Sequence, residues 1–225
     1  MVNRLESYLD KLLANPGQYD YCKQQLCKNQ LRLEALIALG NQRTDFLADI
    51  YEYRSNFDTV TQIKLARYLS QFPQWQAEFK VLFDQLQETV SQTGRSATVN
   101  LPPGWKWINS PTTAQAQALR LFVAQKSSPE VLGRLLQGLL SLRRAGTWAT
   151  TYDNAEALTA LVEYSQIQPP PQNLEATVQL ANKQIARSQL TKNQISLNVQ
   201  VPIAKLPRGK QDLILKKSGK DCCIT

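Results

Sequence analysis

The sequence predicts a mainly α protein with a β tail, a stacked array of αα-hairpins followed by a few antiparallel strands. Three observations carry this. Apolar residues recur at helical spacing through Leu161 and Val162, and the stretches from Leu33 to Leu39, Ala116 to Phe122 and Ala155 to Leu161 repeat one pattern of small and large apolar residues. After Gln168-Pro169-Pro170-Pro171 the apolar residues alternate with polar ones, which is the strand period. Between these regions, Leu142 to Gln166 reads as a helical hairpin with an aromatic plug, Trp148, in its connection.

The 225 residues allow one or two domains and a sizeable core. The formal charge is +8 with no histidine, which removes Ser/His/Asp and Cys/His catalysis and every zinc site that needs imidazole. Four cysteines are present: Cys22, Cys27, Cys222 and Cys223. Cys22 and Cys27 are too widely spaced for a zinc knuckle and poorly placed for a disulfide within one helix. No metal site or cofactor is expected. No signal peptide is expected, because Met1 to Glu6 reads directly into an amphipathic helix, and no apolar run is long enough to span a membrane.

Taken in order, Val2 to Ala14 reads as a helix with Leu5, Leu9, Leu12 and Leu13 on one face, stopped by Asn15-Pro16-Gly17. Tyr19 to Leu39 reads as a longer helix ended by Gly40. Thr44-Asp45 is expected to cap a short helix through Phe46, Leu47 and Ile50. Asp58 starts the next, stopped near Pro73, and Trp75 to about Val90 forms another. Then Ala97, Val99 and Leu101 alternate with polar residues. Pro102-Pro103-Gly104 turns the chain and Trp105 to Ile108 returns it, giving a small β-hairpin over 97–108. Ser110-Pro111 and Ser128-Pro129 are helix starts with proline in the first turn.

In the hairpin, Gly146 is expected to end one helix in a left-handed conformation, and Arg143 and Arg144 suit its negative end. Asp153 or Asn154 is expected to cap the next helix, whose apolar stripe is Leu158, Leu161 and Val162. Beyond the linker, Leu174 to Leu180, Ile195 to Ile203 and Asp212 to Lys217 read as three strands, with a turn at Leu206 to Lys210. Such a sheet has one greasy side and no partner layer to cover it.

The stretch from Ala145 to Leu158 resembles the Gly-x-Trp-x-x-Thr-x-x-x-Ala-x-Ala-Leu segment of the bacterial alpha-2-macroglobulin family. Gly146, Trp148, Thr151, Ala155, Ala157 and Leu158 stand at its fixed positions, with Asp153 between them. Leu197 to Ile203 and Leu206 to Gly219 resemble the start of the β-domain that follows in that family. The resemblance implies that residues 1–168 are a partial α/α toroid of the thioester-domain type, 169–172 a Pro-rich linker, and 173–225 an incomplete antiparallel β-sandwich segment. It also implies a parent protein outside the cytoplasm that traps proteases. There, cleavage of a bait region exposes a Cys-x-Glu-Gln thioester and closes the molecule around the attacker.

Cys22-Lys23-Gln24-Gln25 has the Cys-x-x-Gln spacing of that thioester but lacks the glutamate and falls inside a continuous helical pattern. Cys22 and Gln25 are therefore read as a surface cysteine and its helical neighbour, and the chain by itself as an inactive fragment, cytoplasmic if made alone. The ending Gly219 to Thr225 stands where the family has Gly-x-Gly-apolar-apolar-Tyr-Tyr. Loss of one nucleotide after the second codon converts the one into the other, so the C-terminus is expected to be a frameshift product.

Other readings weigh less. Lys183, Arg187, Lys192, Lys205, Arg208, Lys210, Lys216, Lys217 and Lys220 would suit phosphate contacts. They alternate with apolar residues or sit in turns with no interleaved aromatic, so solvated strand faces account for them and no nucleic-acid partner is expected. Trp105, Trp107 and Trp148 are read as packing rather than a ligand pocket. An α/α-toroid enzyme would need an aspartate-rich motif or a zinc set, and neither is present. A stand-alone helical module that binds proteins is the remaining alternative.

Overall fold

In a computed structural model, the described residues are 2–18, 20–40, 43–102, 109–168, 174–180, 183–190, 201–202, 209 and 212–218. Contacts divide the chain into two compact units, Met1–Tyr164 and Ser165–Thr225. The first holds α1 (Val2–Ala14), α2 (Gln25–Leu39), α3 (Leu47–Glu52), α4 (Thr59–Leu69), α5 (Gln76–Glu88), α6 (Pro111–Ala124), α7 (Pro129–Ser141), most of α8 (Thr151–Ile167), and the strands β1 (Val90–Thr93) and β2 (Ser96–Val99). The second holds β3 (Leu174–Leu180), β4 (Lys183–Leu190) and β5 (Leu213–Ser218).

Helix starts follow their caps. Asp58, Ser110 and Ser128 each accept a hydrogen bond from the backbone N–H three residues on, and Pro111 and Pro129 occupy the first turn. Two starts before α4 differ from the sequence reading. A left-handed Phe46, φ 60°, precedes α3 in place of a Thr44-Asp45 cap. The second helix begins at Gln25 rather than Tyr19, because Pro16–Gln18 form a short 3₁₀ turn and the chain then bends before α2. Cys22 thus lies outside the helix and bonds to Cys27 in its first turn, with a Cα–Cα distance of 5.3 Å. This corrects two expectations. The cysteines do pair, because they do not share one helix, and Cys22 is fully buried rather than a surface residue.

Each of α1, α5 and α7 packs on its neighbour α2, α4 or α6, and α4 packs on α6. The starts of α4, α6 and α8 are tied together. Asn109 Nδ2 donates to Asp58 Oδ2 at 2.6 Å, and the Ser110 hydroxyl donates to Asp153 Oδ1. Further along, Arg120 on α6 pairs with Glu163 on α8, so these helices run the same way. The middle one, α6, is buried along most of its length, polar residues included. Its Gln115 is fully used: Nε2 donates to the carbonyls of Ala97 and Leu135 at 2.8 and 2.9 Å, and Oε1 accepts from the Val99 N–H. One side chain thereby fastens β2 to both α6 and α7.

The small hairpin is real but differently built. β2 pairs antiparallel with the upstream β1, Val90 opposite Val99, around Gly94 at φ 56° and Arg95. The partner was overlooked because Val90-Ser91-Gln92-Thr93 has one apolar residue and continues a helical pattern. The signal was the Gly94-Arg95 pair, a two-residue turn. The Trp105–Ile108 return strand expected from the sequence lies outside the described residues.

In the second unit β3 lies between β4 and β5, antiparallel to both. β3 and β5 match the expected first and third strands. β4 was missed, since Lys183-Gln184-Ile185-Ala186-Arg187 carries little alternation. Arg187 pairs across to Glu175 on β3 at 2.9 Å, as expected of a solvated strand face. Leu213 and Leu215 are exposed. The proline linker, most of the strand from Ile195 to Ile203, the Leu206–Lys210 turn apart from Gly209, and the residues from Gly219 onward lie outside the described residues.

Candidate functional site

Two places in the first unit gather functional chemistry: the connection between α7 and α8, and a charged cleft across α2, α4, α6 and α8.

In the connection, Trp148 is buried, and its Nε1–H donates to the Leu139 carbonyl at 3.1 Å, so the plug reading holds. The Arg143 guanidinium lies 5.3 Å from the centre of its ring. Gly146 does take a left-handed conformation, φ 89°, but it does not end a helix. α7 stops at Ser141, and Ala145 (φ 50°) and Gly146 form a tight turn in which Arg144 and Thr147 exchange backbone hydrogen bonds. Arg143 donates to the Gly146 carbonyl rather than to the helix end.

α8 opens at Thr151, one turn earlier than Asn154. Its cap is Thr150, whose hydroxyl accepts from the Asp153 N–H. Asp153 therefore does not cap α8. It is 1% exposed and accepts from the hydroxyls of Ser110 and Thr113 at the start of α6. Its carboxylate sits where the positive ends of two helices meet. Asn154 closes the loop by donating to the Trp148 and Thr150 carbonyls.

The buried face of α8 is Asp153, Ala157, Ala160 and Tyr164. Of the predicted stripe, Leu158 and Val162 face outward at 56% and 54% exposed, while Leu161 is partly buried and packs against the core. Thr151 and Ala155 are also exposed. Close approach to α6 selects the small residues for the interior, and the large ones are left on the other side. Of the motif residues, the structure brings Trp148, Asp153 and Ala157 into the core and leaves Gly146, Thr151, Ala155 and Leu158 outside it. Gln25 is the first residue of α2 and donates to Asn29 Oδ1 at 3.0 Å. The Cys22 sulfur is bonded to Cys27.

The charged cleft was not read from the sequence. About 340 Å³ in volume, it is lined by Ile37, Gly40, Lys64, Arg67, Tyr68, Ser70, Gln71, Arg120, Ala124 and Glu163. Lys64 donates to Glu34 Oε1 at 2.7 Å. Arg120 donates through Nε and one terminal nitrogen to Glu163 Oε1, at 2.9 and 2.6 Å, and lies 3.7 Å from Glu156. Glu156 also accepts from Gln117. The signal was present in Lys64-Leu65-Ala66-Arg67, where two cations bracket two fully buried positions of α4.

Burial works against the Lys64 ammonium, but the charge and hydrogen bond of Glu34, with Tyr152 and Glu156, outweigh it and raise its pKa. Burial raises the Tyr152 phenol, and also that of Tyr68, which donates to the Arg43 carbonyl at 2.7 Å. Burial and then Arg120 lower Arg67. Lys64, Tyr68 and Tyr152 thus hold their protons more tightly folded than unfolded. The stability they contribute is complete below their ordinary values and is lost as pH rises through the folded ones. Arg67, whose pKa is lowered, acts in the opposite sense. The melting temperature is expected to fall progressively above about pH 10. Melts followed by circular dichroism at constant ionic strength check this, and a constant or rising value there would refute it.

Among the described residues no group of three potential ligands could hold a metal ion, and no helix is long and apolar enough to cross a membrane. No protein-family model matches the sequence. The fold is that of a helical array with an adjoining β segment found in Escherichia coli alpha-2-macroglobulin, solved in its form activated by porcine elastase. The two superpose with a TM-score of 0.51 at 18% identity, over 86% of this chain and 18% of that one. Sequence carries the assignment further. The chain belongs to the alpha-2-macroglobulin family, being 62% identical over 224 residues to the alpha-2-macroglobulin homolog of Nostoc sp. (strain PCC 7120 / SAG 25.82 / UTEX 2576). The match takes in 97% of this chain and 12% of that relative, so the chain spans about one-eighth of its length.

Proposed function

We propose that this chain corresponds to a structural segment of a protease trap, part of a toroid-like helical domain and the start of the β-domain after it, and that it is not an enzyme. The observation that supports this best is the 62% identity along nearly the whole chain. Its partners are then proteases, engaged through the larger protein. The sequence contains no Cys-x-Glu-Gln, and Cys22 is held by Cys27, so the isolated chain is expected to be inactive as a trap.

A trap hinders a protease on large substrates and spares small ones, because the caged enzyme keeps its active site. Elastase assayed on a protein and on a short chromogenic peptide separates the cases. The isolated chain is expected to change neither rate. The unmodified Nostoc relative, and the same relative carrying this chain in place of its matching residues, are both expected to slow only the first. Loss of both activities with the isolated chain would make it a direct active-site inhibitor and overturn the reading. A folded but inert substituted relative, beside an active unmodified one, would do the same.

The Cys22–Cys27 disulfide supports an extracytoplasmic site for the parent, because such bonds persist in oxidising compartments. Closing so short a loop contributes about 2 kcal/mol. The double variant Cys22→Ser, Cys27→Ser is expected to melt lower by an amount close to that of reduced wild type. Non-reducing peptide mapping of secreted protein is expected to recover the two cysteines joined. Recovery of both as free thiols would remove this support.

A further inference from the structure

One buried polar side chain of the helical unit lacks a partner at one of its atoms. Gln117, on α6, is 2% exposed. Its Nε2 donates to Glu156 Oε2 at 2.5 Å. That contact fixes which end of the amide is nitrogen, because a carboxylate accepts a hydrogen bond and an amide oxygen cannot donate one. The other end, Oε1, is out of reach of bulk solvent and has no hydrogen-bond partner among the described residues. A buried acceptor left unmet is costly, and folded proteins meet nearly all such atoms with protein or with ordered water.

Lys64, on α4, shows the complementary shortage. Its side chain is 6% exposed, and its ammonium carries three N–H donors. Among the described residues only Glu34 Oε1 accepts from it, at 2.7 Å. Glu156, on α8, acts on this same ammonium, and Glu156 is also the residue that holds Gln117. An acceptor without a donor and an ammonium with spare N–H groups therefore border one carboxylate. Water meets both needs, since it donates and accepts at once. An anion could not donate to Gln117 Oε1, and a cation could not accept from Lys64. Nor is a charge called for, because Lys64, Arg67 and Arg120 are balanced by Glu34, Glu156 and Glu163. Gln117 does not line the open cleft, so a molecule bound to it is shielded from that cleft's solvent.

We propose that the seam between α4, α6 and α8 binds one internal water molecule, which donates to Gln117 Oε1 and to Glu156 and accepts from Lys64 Nζ. About three such bonds are what a buried water makes in folded proteins. The water ties the inner faces of three helices that share no other common partner at this level. The site does not depend on the protease-trap reading, and it can fail or stand without it.

The test uses the full chain, with water itself as the probe. Water-selected NOE and ROE spectra are recorded on isotope-labelled protein at mildly acidic pH. The side-chain amide protons of Gln117 are expected to show water cross-peaks of opposite sign in the two experiments. That pattern marks a molecule held longer than the protein takes to tumble, whereas proton exchange gives one sign in both. Tyr152→Phe is expected to leave the peaks in place, which excludes relay through the hydroxyl that acts on the same carboxylate. Oxygen-17 relaxation dispersion counts long-lived waters whatever their protons do, and Gln117→Met is expected to hold one fewer than wild type. The proposal is overturned by the absence of opposite-sign peaks at wild-type Gln117, by their loss in Tyr152→Phe, or by an unchanged water count in Gln117→Met. The wild-type spectra need no variant, so they decide even if Gln117→Met fails to fold.

Discussion

Gly138→Ala is expected to destabilise the helical unit by about 3 kcal/mol. The position lies on the face of α7 covered by β2. A Cβ placed there would come 2.1 Å from the Ala97 carbonyl oxygen and 2.7 Å from Gln115 Nε2. The first of these is backbone, and it cannot swing aside as the end of a long side chain can. The strand must therefore lift from the helix. Lifting it pulls Ala97 and Val99 away from Gln115, whose amide makes two hydrogen bonds to the strand. A buried glutamine stripped of those partners adds its own cost. Gly133→Ala on the same helix is the control, since nothing lies within 4 Å of the added carbon. Better helix propensity should make it neutral to stabilising by up to about 1 kcal/mol. Denaturant melts of the two variants check the pair. If they are equally stable, the close packing of β2 on α7 is not the source of the effect.

Trp148→Ala is expected to cost about 4 kcal/mol, or on the order of 10 °C in melting temperature. The indole fills the gap between the end of α7 and the start of α8, and its N–H is bonded to Leu139. Removing it opens a cavity whose walls are held by separate helices and cannot easily collapse. The Leu139 carbonyl keeps a donor, the Leu142 N–H at 3.3 Å, so lost packing is the larger part of the cost. Trp148→Phe should recover more than half of the loss, because it keeps most of the apolar volume. Melts of the three proteins test this, and a phenylalanine variant as unstable as the alanine one would mean that the hydrogen bond, not the volume, dominates.

Much of this was legible from local chemistry. Asp58, Ser110-Pro111 and Ser128-Pro129 marked their helix starts correctly, because a cap is satisfied by the backbone within three residues of itself. Trp148 was recognisable as a plug from its size and its place between two helical patterns. The family resemblance rested on the same stretch, and the relative's identity extends it to the whole chain. The strands were partly legible: β3 and β5 alternate clearly, while β1 and β4 are too polar to announce themselves.

What the tertiary structure decided were matters that depend on residues far apart. Asp153 looks like a helix cap in its own sequence, yet its partners are hydroxyls on α6, some forty positions earlier. Leu158 and Val162 belong to the more apolar stripe of α8, but the face that the core covers carries Asp153, Ala157, Ala160 and Tyr164. Cys22 and Cys27 could pair only because α2 starts at Gln25, after a bend that brings Cys22 back to the helix. The crowding around Glu163 is visible in no single segment: Arg120 donates to it at 2.6 Å, and Arg67, from another helix, lies 3.7 Å away. Local sequence settles how the backbone begins and ends each element. Which face is covered, and which cation reaches which carboxylate, is settled only when the helices compete for the same space and the same oxygen.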